Sequence, residues 1–290
     1  MASSPILRNI KYALRFLPDR PYIRLYYLMR MRKICRLNHP VTYNEKLQYL
    51  KLHDRNPLYT TMVDKGAVKP YVVKRIGKEK VIPTIGTWND PDEIDFASLP
   101  DRFVLKCTHD SEGLVLVPDK SMLDIGAAKK KLKKAMARNF YYIGREWPYK
   151  NLTPRIIAEP WVEDTKDGEL RDYKFFCFDG EPKLMFIASG RAKGETSFDY
   201  FDMDGKHLDI RQHYPNSAVT PHLPEHFEEM KGLARTLSKG IPHVRVDFYE
   251  ADGQVYFGEL TFFHFSGFMP FSDPSWDRKL GEYIHLPKEN

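Results

Sequence analysis

The 290-residue chain has only three cysteines, Cys35, Cys107 and Cys177. They are widely separated, odd in number and without metal-ligand spacing, which argues against a structural zinc site and fits a reducing compartment. Cys107 and Cys177 sit in apolar, strand-like runs and are expected to be buried packing residues. No apolar run is long enough to span a bilayer. Arg8, Lys11 and Arg15 interrupt the first residues, where a secretion signal needs a continuous apolar core. Both absences predict a cytoplasmic protein. Repeats, low-complexity tracts and evident linkers are also missing. Hydrophobic residues make up 42% and aromatic residues 13%, ample for one large core or two modest ones, so disorder is not expected. Acids are outnumbered, 39 against 45 basic residues, for a net charge of +6. That surplus predicts anionic partners such as nucleotides, acidic sugars or a membrane surface without choosing among them.

What is present reads as helices followed by mixed hairpins and helices. From Ile6 to about Ile34, Leu7, Ile10, Leu14 and Leu17 recur at helical spacing among Arg8, Lys11, Arg15, Arg30, Arg32 and Lys33. Such a basic amphipathic region either packs on its own domain or makes peripheral contact with the inner membrane surface. Thr42-Tyr-Asn-Glu45 has the form of a capping box, with Leu47 and Leu50 continuing the helical face. A helix is predicted over Lys65 to Ile76, ending at Gly77, then a strand over Lys80 to Ile85. The strand Phe103–Thr108 carries Lys106, a charge that is costly to bury without an anion. His109-Asp-Ser-Glu-Gly113 then leads into Leu114–Val117, either an ordinary hairpin or a flap over phosphates. The lysine-dense helix Asp124–Phe140 reads as a solvated face, and no nucleic-acid partner is expected. Ile156–Val162 reads as a buried strand, Leu170–Ile187 and Phe198–Gly205 as hairpins, and Glu225–Lys239 and Pro274–Ile284 as helices. The order implies an α+β protein with antiparallel sheets.

The most informative stretch is His243–Thr261. Two alternating runs flank Ala251-Asp252-Gly253, a hairpin signature. Arg245, Asp247 and Tyr249 share one face, and Glu259 and Thr261 share a face on the returning strand. If the faces coincide, a cation and two carboxylates converge, and the carboxylates repel unless Mg²⁺ sits between them. The alternative is a solvated hairpin with surface acids. A separate D-x-D pattern, Asp202-Met203-Asp204, raises a metal-dependent glycosyltransferase as the rival function. Gly205 directly after it suggests a turn instead.

Taken in order, these segments resemble the ATP-grasp superfamily, and most closely its TupA-like amide-ligase branch. The resemblance is carried by Asn44-Glu-Lys-Leu-Gln48, Val63-Asp-Lys65, Phe103-Val-Leu-Lys106 with His109, Ile157-Ala-Glu159, Asp172–Phe178, Val244-Arg-Val-Asp247 and Phe257-Gly-Glu-Leu-Thr-Phe262. It implies two α+β subdomains gripping ATP, residues 61–155 and 156–290, with an N-terminal helical extension over 1–60. It also implies that Lys65 and Lys106 hold ATP phosphates, with His109, Asp110 and Ser111 in the phosphate loop. Glu159 would meet the adenine amino group, the backbone around Trp161 and Val162 would line the base, and Glu163 or Asp164 would meet the ribose. Lys174 would reach the phosphates, Arg245 would stand on the acyl-phosphate side, and Asp247, Glu259 and Thr261 would hold Mg²⁺. Two departures stand out: Thr261 replaces the commoner asparagine, and Glu112 adds a negative charge to the phosphate loop. The implied activity joins a carboxylate to an amine through an acyl phosphate. In this branch the acid is a uronic acid of a cell-surface polysaccharide or its precursor, and the amine an amino acid or amino alcohol. Phe262, Phe263, Phe265, Phe268, Tyr200 and Tyr214 either face such a sugar or belong to the core.

Overall fold

A computed structural model describes residues 12–110, 112–165, 169–190 and 194–287. Leu7, Arg8, Ile10, Lys11 and Ser111 lie outside the described residues. Eight helices are described: α1 (Asp19–Met31), α2 (Tyr43–His53), α3 (Leu58–Val63), α4 (Val68–Ile76), α5 (Ile125–Met136), α6 (Tyr141–Gly144), α7 (Phe227–Ser238) and α8 (Pro274–Glu282). The strands are β1 (Gly86–Trp88), β2 (Phe103–Cys107), β3 (Leu114–Val117), β4 (Ile156–Pro160), β5 (Asp172–Phe178), β6 (Glu181–Ser189), β7 (Ser197–Asp202), β8 (His207–Leu208), β9 (His243–Ala251) and β10 (Gln254–Thr261). They form two antiparallel sheets, one of order β1-β4-β2-β3 and one of order β10-β9-β5-β6-β7-β8. The expected α+β class with antiparallel sheets is therefore found. The smaller sheet takes in Ile156–Pro160, so it draws on residues from both sides of the expected 155/156 boundary.

Local chemistry explains most elements. The β5–β6 and β9–β10 hairpins turn on Asp179-Gly180 and Asp252-Gly253, all four at positive φ, as two-residue turns matching strand twist require. Gly77 ends α4 at φ 93°. The strand expected over Lys80–Ile85 is instead a single bridge from Val81 to Phe257. Pro83 has no N–H to give a ladder, and the Ile82 carbonyl accepts from Lys69 Nζ at 2.8 Å. All three cysteines are buried and unpaired. The largest core cluster joins the six-stranded sheet to α2, α3, α4, α7 and α8, while a second lies under the smaller sheet.

Helix α2 positions the loop that follows β10. Its capping box is complete, with the Glu45 carboxylate accepting from the Val41 and Thr42 N–H groups at 3.0 and 3.1 Å and from Arg36 at 2.7 and 2.9 Å. Further along, Gln48 Nε2 donates to the Ser266 and Gly267 carbonyls. The buried Lys51 ammonium donates to Gly144 O at 2.6 Å and Ser266 O at 2.7 Å. Glu45→Gln keeps the volume but removes the charge that Arg36 and the Val41 and Thr42 N–H groups share. It is expected to lower unfolding free energy by about 1.5–3 kcal/mol in urea titration, the range for hydrogen bonds to an ionised group.

Candidate active site

The β9–β10 pairing decides which way Glu259 points. Tyr256 pairs with Tyr249 and Phe257 with Phe248, but Glu259 then pairs with Asp247 and Thr261 with Arg245, because a bulge intervenes after Phe257. A regular strand would leave Glu259 on the core face with Val255 and Phe257, both buried. The extra residue, Gly258, reverses the alternation and turns Glu259 onto the face of Asp247. A Cβ on Gly258 would stand 3.1 Å from the Asp247 carbonyl oxygen, so the close approach suits glycine. The expected meeting of one cation and two carboxylates thus occurs, by a device that alternation alone did not reveal.

In the structure Arg245 reaches both carboxylates. Its Nε and one terminal nitrogen grip the two Asp247 oxygens, each at 2.7 Å. The same terminal nitrogen lies 3.3 Å from Glu259 Oε1 and 3.1 Å from Thr261 Oγ1. Lys174 Nζ donates to Asp247 from the neighbouring strand and to Asp172 at 3.1 Å. Burial opposes the Asp247 charge, yet Arg245 and Lys174 outweigh it and hold the carboxyl at about 2. The other Arg245 terminal nitrogen meets His264 Nδ1 at 2.6 Å, while His264 Nε2 faces Gln212 Oε1 at 3.0 Å. Burial and then Arg245 push His264 well below its ordinary value. A neutral ring accepting at Nδ1 and donating at Nε2 satisfies both contacts.

The smaller sheet and the α3–α4 turn supply the opposite wall. Lys65, Lys69, Lys106, Asp110 and Glu159 face Asp172, Lys174, Arg245 and Glu259 across one cleft. Glu159, expected at the adenine amino group, has both oxygens engaged, by Lys69 at 2.6 Å and Lys106 at 2.5 Å. Burial raises its carboxyl, but the two lysines hold it below the usual range. Lys69 escaped sequence reasoning, since a lysine on a surface helix is unremarkable. Its place one helical turn after Lys65 was the only signal. Lys65 Nζ donates to the Asp110 carbonyl at 2.5 Å and stands 3.9 Å from Glu259.

His109 is buried beneath the loop, its Nε2 3.3 Å from Ala135 O. Asp110 Oδ1 accepts from Gly113 N at 2.9 Å. Arg138 pairs with Glu112 at 2.5 Å, which offsets the extra negative charge there. Trp161, Val162 and Asp164 are half-buried just after β4, and Glu163 is exposed, gripped by Arg102 at 2.5 Å. Phe262, Phe263, Phe268 and Tyr200 belong to the core, leaving only Phe265 and Tyr214 half-buried beside His213.

The rival metal motif is a turn: Asp202 Oδ1 accepts the backbone N–H groups of Asp204 at 3.0 Å and Lys206 at 2.9 Å. Phe265 and Ser266, at φ 48° and 54°, form a left-handed stretch behind the site. Such strain persists only where surroundings enforce it, and Ser266 is held by Gln48, Lys51 and the buried carboxylate of Glu146.

Asp247→Asn is expected to cost about 3–5 kcal/mol near neutral pH, because it leaves two buried cations short of their partner. The native carboxyl is depressed, so its contribution is full above the unfolded value and is lost as pH falls through about 2. Melting curves of wild type and variant should therefore converge as pH drops below about 4.

Residues 45–285 match the family described as TupA-like ATPgrasp. No curated protein matches. Among solved structures, D-alanine-D-alanine ligase from Helicobacter pylori aligns at 16% identity and TM-score 0.43, over 77% of this chain and 61% of that one. D-cycloserine synthetase DcsG aligns at 16% identity and TM-score 0.44, over 78% and 70%. ATP-grasp ligase PsnB, complexed with minimal precursor, Mg and ADP, aligns at 12% identity and TM-score 0.40, over 71% and 52%. The chain thus spans under two thirds of the Helicobacter pylori enzyme's length. The family match covers most of the sequence, and the chain belongs to the TupA-like ATP-grasp family.

Proposed function

We propose that this chain is an ATP-dependent carboxylate–amine ligase that works through an acyl phosphate. The observation that carries the reading is the cleft itself, where Lys65, Lys69, Lys106, Lys174 and Arg245 line one space between two sheets together with Glu159 and Glu259, and Asp247 lies buried behind Arg245 and Lys174. Phosphoryl transfer is catalysed chiefly by positioning and charge neutralisation, and this set supplies both. Lys65 and Lys106 take phosphate oxygens from one wall and Lys174 from the other. Lys69 keeps Glu159 ionised and in place at the nucleotide end.

The donors fit Mg²⁺, a hard cation that accepts carboxylate and hydroxyl oxygens together with substrate phosphates. Glu259 is 37% exposed toward the cleft and Thr261 Oγ1 lies 3.2 Å from it. Asp247 joins them as Arg245 and Lys174 shift contacts to phosphate. Mg²⁺ bound there would neutralise charge on the transferring phosphoryl group. The substrate carboxylate attacks the γ-phosphorus, ADP leaves, and Arg245 stabilises the acyl phosphate. The amine then attacks the acyl carbon, phosphate departs with the bonding pair, and the amine's surplus protons pass to phosphate and solvent. We further propose a uronic acid as the carboxylate and an amino acid or amino alcohol as the amine. The half-buried Phe265, whose ring lies 4.2 Å from that of His264, and the chain's surplus positive charge support a sugar acid.

With ATP, Mg²⁺ and a panel of uronic acids but no amine, hydroxylamine should trap the acyl phosphate as a hydroxamate. Lys106→Met and Glu259→Gln should each lower that yield by roughly a hundredfold, and Asp204→Asn should leave it unchanged. Stimulated ATP use without hydroxamate, or loss in Asp204→Asn alone, would reject the ligase.

A further inference from the structure

The N-terminal segment packs one face of α1 and leaves another uncovered. Tyr22, Ile23, Tyr27 and Met31 are buried against Cys35, Leu37 and Phe268. That settles the fate of one apolar stripe, which packs on its own domain. Leu25, Leu28 and Met29, at i, i+3 and i+4 on another stripe, are 43%, 49% and 57% exposed. Phe16 before the helix and Ile34 after it are each 80% exposed. Of the fourteen large apolar side chains exposed among the described residues, seven fall between Tyr12 and Val41, so the exposure is concentrated in about a tenth of the chain. A helix apolar on both faces is ordinarily buried on both, and a clustered patch marks an interaction site, unlike scattered apolar residues.

Charge identifies what covers it. Seven basic residues between 12 and 41 stand against one acid, Asp19, so this stretch equals the whole chain's net charge of +6. Arg24, Arg30, Arg32 and Lys33 are exposed and make no ion pair among the described residues. Arg24 lies one turn before Leu28 on the uncovered stripe. The Arg15 guanidinium lies 4.3 Å over the Phe16 ring, pairing an apolar side chain with a cation at the patch edge. Unpaired cations around an apolar centre match the interface of an anionic bilayer, where apolar side chains enter the acyl boundary and cations meet headgroups. A polyanion such as nucleic acid would not use the apolar centre.

We propose that the outer face of α1, with Phe16 and Ile34 at its ends, docks on an anionic phospholipid surface. The inner face touches Phe268, whose ring is 4.7 Å from that of Tyr26. Phe268 ends the loop whose His264 holds Arg245. The docked helix is thereby connected to the cleft through that loop.

Co-sedimentation of the full chain with phosphatidylcholine vesicles, with and without phosphatidylglycerol, tests this. The chain should sediment only with the anionic vesicles and be released as salt rises. Leu28→Glu and Arg24→Glu are surface changes expected to preserve the melting temperature and weaken binding about tenfold or more. Failure of the wild type to bind anionic vesicles overturns the proposal, as does unaltered binding by both variants. A wild-type dimer in sedimentation velocity that Leu28→Glu converts to monomer, without vesicle binding, would assign the face to a second copy of the chain and equally overturn it.

Discussion

The grip of Arg245 and Lys174 on Asp247 is the interaction on which the rest of the site depends. A carboxylate 1% exposed at the centre of a sheet is tolerable only when its charge is matched and its oxygens are hydrogen-bonded. Here β5 and β9 do both, because Lys174 and Asp247 are direct cross-strand partners and Arg245 lies two residues along the same face. Glu259 and Thr261 enter from β10, and His264 and Gln212 fix the guanidinium from behind. The large core beneath, formed by the opposite sheet face with α7, makes this arrangement rigid.

The same accounting extends across the cleft, where Lys69 and Lys106 share Glu159 and Lys65 approaches Glu259. The cations proposed to bind phosphate are thus already matched to acids of the protein. Under the proposed function, nucleotide does not enter a vacant positive hole. It exchanges with internal partners, and the carboxylates so released become available to a divalent ion. Buried ion pairs of this kind contribute little net stability compared with an apolar filling, so their presence is better explained by exchange than by folding.

Much of this was legible in the sequence because charged residues stood inside strand patterns where packing alone does not put them. Lys106, Lys174, Arg245, Asp247 and Glu259 were all found that way, as were the capping box at Thr42 and the turns at Asp179 and Asp252. What stayed hidden depended on register or on distant partners. Alternation cannot reveal a bulge, so the face of Glu259 was undetermined until Gly258 was placed opposite the Asp247 backbone. Lys69 and His264 looked ordinary because the atoms they meet, in Glu159 and Arg245, are far away in the chain. Pro83 was a visible argument against a strand over Lys80–Ile85. The N-terminal pattern held two apolar stripes, and a single amphipathic reading could account for only one.

Under the proposed function, Glu259, which the Gly258 bulge turns toward Asp247, completes a magnesium–nucleotide site. Calorimetric titration of ATP with and without Mg²⁺, into the wild type and into Glu259→Gln, tests this directly. The account predicts that Mg²⁺ tightens ATP binding in the wild type. In Glu259→Gln the lysines should still bind ATP, but Mg²⁺ should give no added affinity, because the carboxylate facing Asp247 is lost. Equal tightening by Mg²⁺ in both proteins would contradict it.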